Sequence, residues 1–106
     1  MDTNMTKYSL NELTDLAARV LIGAGAGAPM AEATARALVR AEAQGLSSHG
    51  LSRVGQYASH LRSGRVAGDA EPKVIRAKAA AVLIDAGEGL AFPACARAVD
   101  AAVPRA

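Results

Sequence analysis

Apolar positions along the chain fall into stripes that change period twice. Leu10, Leu13, Leu16, Ala17, Val20, Leu21 and Ala24 recur three and four apart, the repeat of one face of a helix. Ser9 precedes that stripe and Glu12 follows it by three residues, a reciprocal capping pair. Gly23 or Gly25 ends the helix, where glycine accepts the left-handed cap. Residues 1–7 read as a frayed terminus. A second stripe, Met30, Ala31, Thr34, Ala35, Leu38, Val39 and Glu42, has Pro29 in its first turn. It runs to about Ala43, and Gly45 stops it. Leu51, Val54, Ala58 and Leu61 mark a third helix from near Ser48 to Ser63, ended by Gly64. The next ten residues are rich in turn formers. Then "KVIRA" (73–77) and "AAVLIDA" (80–86) switch to short β-branched runs, read as two strands. A glycine turn leads into a fourth helix, with Pro93 in its first turn and Pro104 near its end.

The order of three helices, two strands and one helix is α+β, and it is incomplete. Two short strands make a marginal sheet by themselves, so they call for neighbours. Composition sharpens this. Hydrophobic residues make up 51% of the 106 residues, much of it alanine, and aromatics only 3%: Tyr8, Tyr57 and Phe92. Alanine fills little volume, so the core is expected to be thin and a covering partner to be missing.

Charge and cysteine usage remove several classes of function. The net charge is +2 and the pI about 9.0. Nine of the twelve basic residues are arginine, spread singly, so a nucleic-acid footprint is weak and a DNA-binding helical module is favoured only by the pI. No apolar run approaches the roughly 20 residues of a membrane helix, and no signal-peptide pattern opens the chain. Cys95 is alone, which excludes an internal disulfide and fits a cytoplasmic protein; it is expected to be a small buried residue on the last helix. The run "GAGAGA" has the Gly-x-Gly look of a dinucleotide loop. It follows a helix rather than a strand, which argues against that reading.

The chemistry sits in "QGLSSHGLSR", Gln44 to Arg53. Ser48 and His49 would lie at the N-terminus of the third helix, an end that favours anions. Arg53, four residues after His49, and Tyr57, four further on, would share one face. Histidine can give or take a proton near neutral pH, arginine can hold a carboxylate through two hydrogen bonds, and serine can orient the histidine or the substrate. The set suits a small acid with a carbonyl or hydroxyl beside its carboxylate. The bland alternative stays open: a cap and turn with a solvated arginine. A Ser–His hydrolase lacks a Gly-x-Ser-x-Gly elbow here. No metal site is expected, because His49 and His60 are eleven apart without further ligands, and His60 reads as a surface residue.

The stretch from Ala37 to Val66 resembles the malate/L-lactate dehydrogenase family of the second, non-Rossmann type, in its N-terminal part. Gly45, Ser48, His49, Gly50, Arg53, Tyr57, Leu61 and Gly64 carry the resemblance, and "LIDAGEGL" adds Asp85 and Gly87. Ala86 stands where a glycine is usual, and Phe92-Pro93 departs from the usual helix start. The resemblance implies hydride transfer between NAD or NADP and a small 2-oxo or 2-hydroxy acid or cyclic imino acid. It implies His49 as proton donor, with Ser48 and Arg53 arranging it, and Arg53 and Tyr57 as substrate-binding residues. Residues 1–66 would be the helical segment that carries the cluster, and residues 67–106 the truncated start of an α/β cofactor-side domain. Cofactor-binding residues are expected mostly beyond Ala106, no metal is implied, and the full-length form is expected to be a homodimer. The chain is therefore expected to be a fragment, inactive alone, with no nucleic-acid or membrane partner. The competing class is a small helical module that dimerises through its Ala/Leu faces.

Overall fold

A computed structural model describes residues 7–106; residues 1–6, most of the expected frayed terminus, lie outside the described residues. Helix α1 spans Leu10–Gly23. Its capping pair forms as expected: the Glu12 N–H donates to Ser9 Oγ at 3.0 Å, and the Ser9 N–H donates to Glu12 Oε1 at 2.9 Å. Those bonds favour the ionised carboxylate, so the Ser9 backbone N–H, and after it the Ser9 hydroxyl, hold Glu12 below its ordinary value of 4.5. Gly25, at φ 118°, reverses the chain, a conformation open to glycine alone among common residues. Helix α2 spans Ala28–Ala43 with Pro29 in its first turn.

The core lies where α1 crosses α2 and where α3, Val54–Arg62, closes the bundle. It consists of Ala17, Ala18, Leu21, Ala24, Ala26, Met30, Ala31, Ala35, Ala58, Leu61 and Leu90. Seven of these eleven are alanine, so the helices approach closely and little volume separates them, as the composition implied. Thr34 is also fully enclosed. Only part of the expected α1 stripe is buried, however. Leu10, Leu16 and Val20 are 55%, 48% and 39% exposed, because α2 and α3 together cover a face narrower than the seven-residue pattern.

The loop after α3 ties the bundle to the second half of the chain. The Gly27 N–H donates to Gly68 O at 2.9 Å. A Cβ on Gly68 would collide with the Gly25 carbonyl oxygen, so two backbones meet there with no side chain between them. Strands β1, Lys73–Lys78, and β2, Ala81–Asp85, pair antiparallel, with Val74 opposite Ile84 and Ala77 opposite Val82. The register slips between Val74 and Arg76, leaving Ile75 as a bulge. Helix α4, Ala91–Ala102, packs on β2 and on α2. Every residue of β1 is exposed, as are Leu83, Val99 and Val103. The Cα radius of gyration, 15.7 Å, exceeds the roughly 13 Å of a compact chain this long. Cys95 lies exposed on α4, not buried as expected, because none of the described elements packs on that face of the helix.

Candidate active site

The segment after α2 does not start a helix at Ser48. It makes two short 3-10 turns, Ser47–His49 and Leu51–Arg53, and α3 begins only at Val54. Gly50 separates them by leaving helical geometry, at φ −104° and ψ −139°. It is buried against α2, where a Cβ would stand 2.5 Å from Glu42 Oε1 and 3.0 Å from Glu42 Cβ. Glu42 Oε1 in turn accepts the Leu51 N–H at 3.0 Å. The corner is capped by the protein's own Glu42 carboxylate, at Leu51 rather than at a helix start at Ser48.

The expected ladder of His49, Arg53 and Tyr57 along one helix face is therefore broken after His49. Other bonds bring the cluster together. Ser48 Oγ lies 2.9 Å from His49 Nδ1. Arg53 folds back over the turn: its Nε donates to Ser48 O at 2.8 Å, and its Nη1 donates to Gln56 Oε1 at 3.1 Å. The Ser52 hydroxyl donates to Ser47 O at 2.7 Å, and the Arg53 N–H to Gly50 O at 3.0 Å. Ser48 and His49 are exposed and Arg53 half-buried, so the imidazole is open to a ligand while its mount is braced.

The hydroxyl beside Nδ1 has a chemical consequence. A serine can donate to an unprotonated nitrogen or accept from a protonated one. It therefore serves neutral histidine and imidazolium alike: it accepts from Nδ1–H in the imidazolium and in one neutral tautomer, and donates to Nδ1 in the other. Arg53 keeps one guanidinium nitrogen, Nη2, outside these bonds, though Nε and one Nη1 hydrogen are committed to the protein. Tyr57 is half-buried, with its ring tilted 54° against Phe92 of α4 at a centroid distance of 6.1 Å; this packing ties the cluster's helix to the second half of the chain. His60 is half-buried rather than on the surface.

Glu42, Ser52 and Gln56 were not foreseen as members of the cluster. For Glu42 a signal existed: it is an acid in the last turn of α2, where the helix dipole disfavours negative charge. The glycine-rich turn offers no dinucleotide cradle. Its Gly27 N–H at the start of α2 is taken by Gly68 O, and the loop 67–70 closes over it. The described residues thus do not fit a pyrophosphate there. No three His, Cys, Asp or Glu among the described residues group to hold a metal, and no helix is long and apolar enough to cross a membrane.

A braced Ser–His pair on a helical bundle that leads into an α+β half defines a class, and comparison identifies it. The sequence profile of the malate/L-lactate dehydrogenase family matches residues 8–106; the chain belongs to that family. It is 47% identical over 98 residues to the (2R)-3-sulfolactate dehydrogenase (NADP(+)) of Chromohalobacter salexigens, covering 92% of this chain and 29% of that protein. It is 40% identical to the Δ1-pyrroline-2-carboxylate reductase of Ancylobacter novellus over 80% of this chain and 25% of that protein. The fold superposes on the Δ1-piperideine-2-carboxylate reductase of Pseudomonas syringae pathovar tomato with a TM-score of 0.91 at 35% identity, covering 96% of this chain and 31% of that one. Malate dehydrogenase from Pyrococcus horikoshii gives a TM-score of 0.85 at 31% identity, over 98% and 30%. The chain spans under a third of the length of these relatives.

Proposed function

We propose that this chain carries the acid–base side of the site of a nicotinamide-dependent oxidoreductase. Its substrate class would be a 2-hydroxy acid and the matching 2-oxo acid, or a cyclic 2-imino acid. The observation that carries the reading is the 2.9 Å contact between Ser48 Oγ and His49 Nδ1, in a turn held by Arg53. Reduction of a C=O or C=N group builds negative charge on oxygen or leaves nitrogen in need of a proton, and a positioned imidazolium quenches it. His49 would deliver that proton from Nε2. Its remaining Nδ1–H would then donate to Ser48 Oγ, so the hydroxyl follows the ring through both charge states. Arg53 would hold Ser48 and offer Nη2 to the substrate carboxylate, and Tyr57 would wall the substrate beside it.

The activities of the relatives support this reading: a sulfolactate dehydrogenase that uses NADP(+), and reductases of cyclic imino acids. NADP is accordingly the first cofactor to test and NAD the second. Because the Gly27 N–H of the glycine-rich turn is already taken by Gly68 O, only the proton side of the reaction is assigned to this chain, and the 106-residue chain alone should not turn over. Residues 1–66 would serve as the substrate-side helical unit and residues 67–106 as the beginning of the cofactor-side unit. The exposed α1 residues Leu16 and Val20, with Leu13, Leu51 and Val54, line an apolar groove, which favours a homodimer. It also keeps the second reading, a non-catalytic dimerising module, in play. The test is a chimera in which residues 7–106 replace the matching segment of the Pseudomonas syringae reductase. Substrate-dependent oxidation of NADPH with a 2-oxo acid or cyclic imino acid is expected. A folded, NADPH-binding chimera with no turnover on either class would contradict the proposal and favour the module.

A further inference from the structure

The turn that presents His49 depends on a group outside the turn. Periodicity alone makes residues 48–63 one continuous helix. In that helix Ser48 O would accept the Ser52 N–H, and His49 and Arg53 would stack one turn apart. The folded chain instead breaks at Gly50, and its two sides meet Glu42. The carboxylate takes the Leu51 N–H at 3.0 Å and lies in the space where any side chain at residue 50 would begin. An acid in the last turn of a helix is electrostatically disfavoured, so Glu42 needs a compensating partner, and that N–H supplies one. The break in turn leaves Ser48 O free for the Arg53 guanidinium and Ser47 O for the Ser52 hydroxyl.

We infer that Glu42 is a positioning residue for His49: by capping Leu51 and packing against Gly50 it stops α3 from extending back through the turn, and so keeps His49 on Ser48. This deepens the function proposed above, since a positioned His49 matters to the reaction only if His49 is the proton donor. Glu42 touches no reacting atom and acts through the turn. Gly50 is the other half of the device, because no larger residue lets the carboxylate reach Leu51.

The test uses the 106-residue chain and nuclear magnetic resonance. Two signals are read: exchange of the Leu51 amide, and the ring nitrogens of His49, with the His60 ring as internal control. Glu42→Ala is expected to speed Leu51 exchange on the order of tenfold, by loss of one partly buried hydrogen bond. It should also move the His49 Nδ1 resonance, give helical carbon shifts across 48–53, and leave His60 in place. Glu42→Gln, whose amide oxygen can accept the same N–H, should restore both signals. Gly50→Ala should reproduce Glu42→Ala. A Glu42→Ala chain with wild-type His49 ring signals overturns the inference, even with Leu51 exchange raised. If that variant does not fold, Glu42→Asp, one methylene shorter, is read the same way, and unchanged His49 signals there overturn it equally. None of these signals passes through turnover, so failure of the positioning role is distinguishable from failure of the oxidoreductase reading.

Discussion

Thr34 sits at the middle of α2 with none of its surface exposed, and its hydroxyl oxygen has no hydrogen-bond partner among the described residues. An unpaired hydroxyl in a core costs about 1–3 kcal/mol. Valine has nearly the same shape and replaces that hydroxyl with a methyl, whose burial contributes about 0.8 kcal/mol. Helix propensities of the two are close, and this substitution leaves no cavity. Thr34→Val should therefore stabilise the chain by about 1–2 kcal/mol. In a domain of this size each kcal/mol raises the melting temperature by roughly 4–8 °C. The assay is urea unfolding followed by circular dichroism, with the same slope in both proteins so that the midpoint shift reads stability. Thr34→Ser, which keeps the hydroxyl and loses the methyl, should fall below wild type. A Val variant less stable than wild type by more than about 0.5 kcal/mol would mean that the hydroxyl is paired in the folded chain.

Leu21 is fully buried in a core made largely of alanine; Leu21→Ala should cost about 2–5 kcal/mol, read as a lowered urea midpoint or outright loss of the cooperative transition. The capping pair gives α1 a pH dependence with a definite sign. Because folding depresses the Glu12 carboxyl below its ordinary 4.5, its contribution is complete above that value and fades as pH falls through the depressed one. Thermal melts between neutral and strongly acidic pH should show this loss, and Glu12→Gln should flatten that part of the profile. Ser9→Ala removes the hydroxyl that accepts the Glu12 N–H and should cost about 1 kcal/mol at neutral pH, measured by urea unfolding.

The elements legible in the chain were those whose causes are local. The Ser9–Glu12 pair, Pro29 after a glycine turn, and the stripe from Met30 to Val39 each act within one or two helical turns, so pattern alone placed α1 and α2. The break at Gly50 was not legible, because its cause is the approach of Glu42 from the preceding helix and a hydrogen bond across nine residues. The site divides the same way. Ser48 and His49 are neighbours in sequence, so their pairing was legible, whereas the Glu42 bond to the Leu51 N–H at the break beside them crosses nine residues. The direction of Arg53, turned back onto Ser48 O rather than stacked on His49, follows from the break. The exposure of Leu10 and Leu16 was misjudged for a different reason: periodicity marks a face that can be buried, and only the neighbouring elements decide whether it is.

His49, held by Ser48, is the proposed proton donor in a nicotinamide-dependent reduction. The most direct measurement is kcat for NADPH-dependent reduction in the chimera with the Pseudomonas syringae reductase, comparing wild type with His49→Ala under identical fold and cofactor binding. General acid catalysis is worth roughly 100- to 10,000-fold, so kcat should fall by about that factor while the Kd for NADPH holds, and Ser48→Ala should cause a smaller loss with a shifted pH profile. A His49→Ala enzyme with kcat within about threefold of wild type, well short of what general acid catalysis supplies, would contradict the account and leave the cluster as a capped turn.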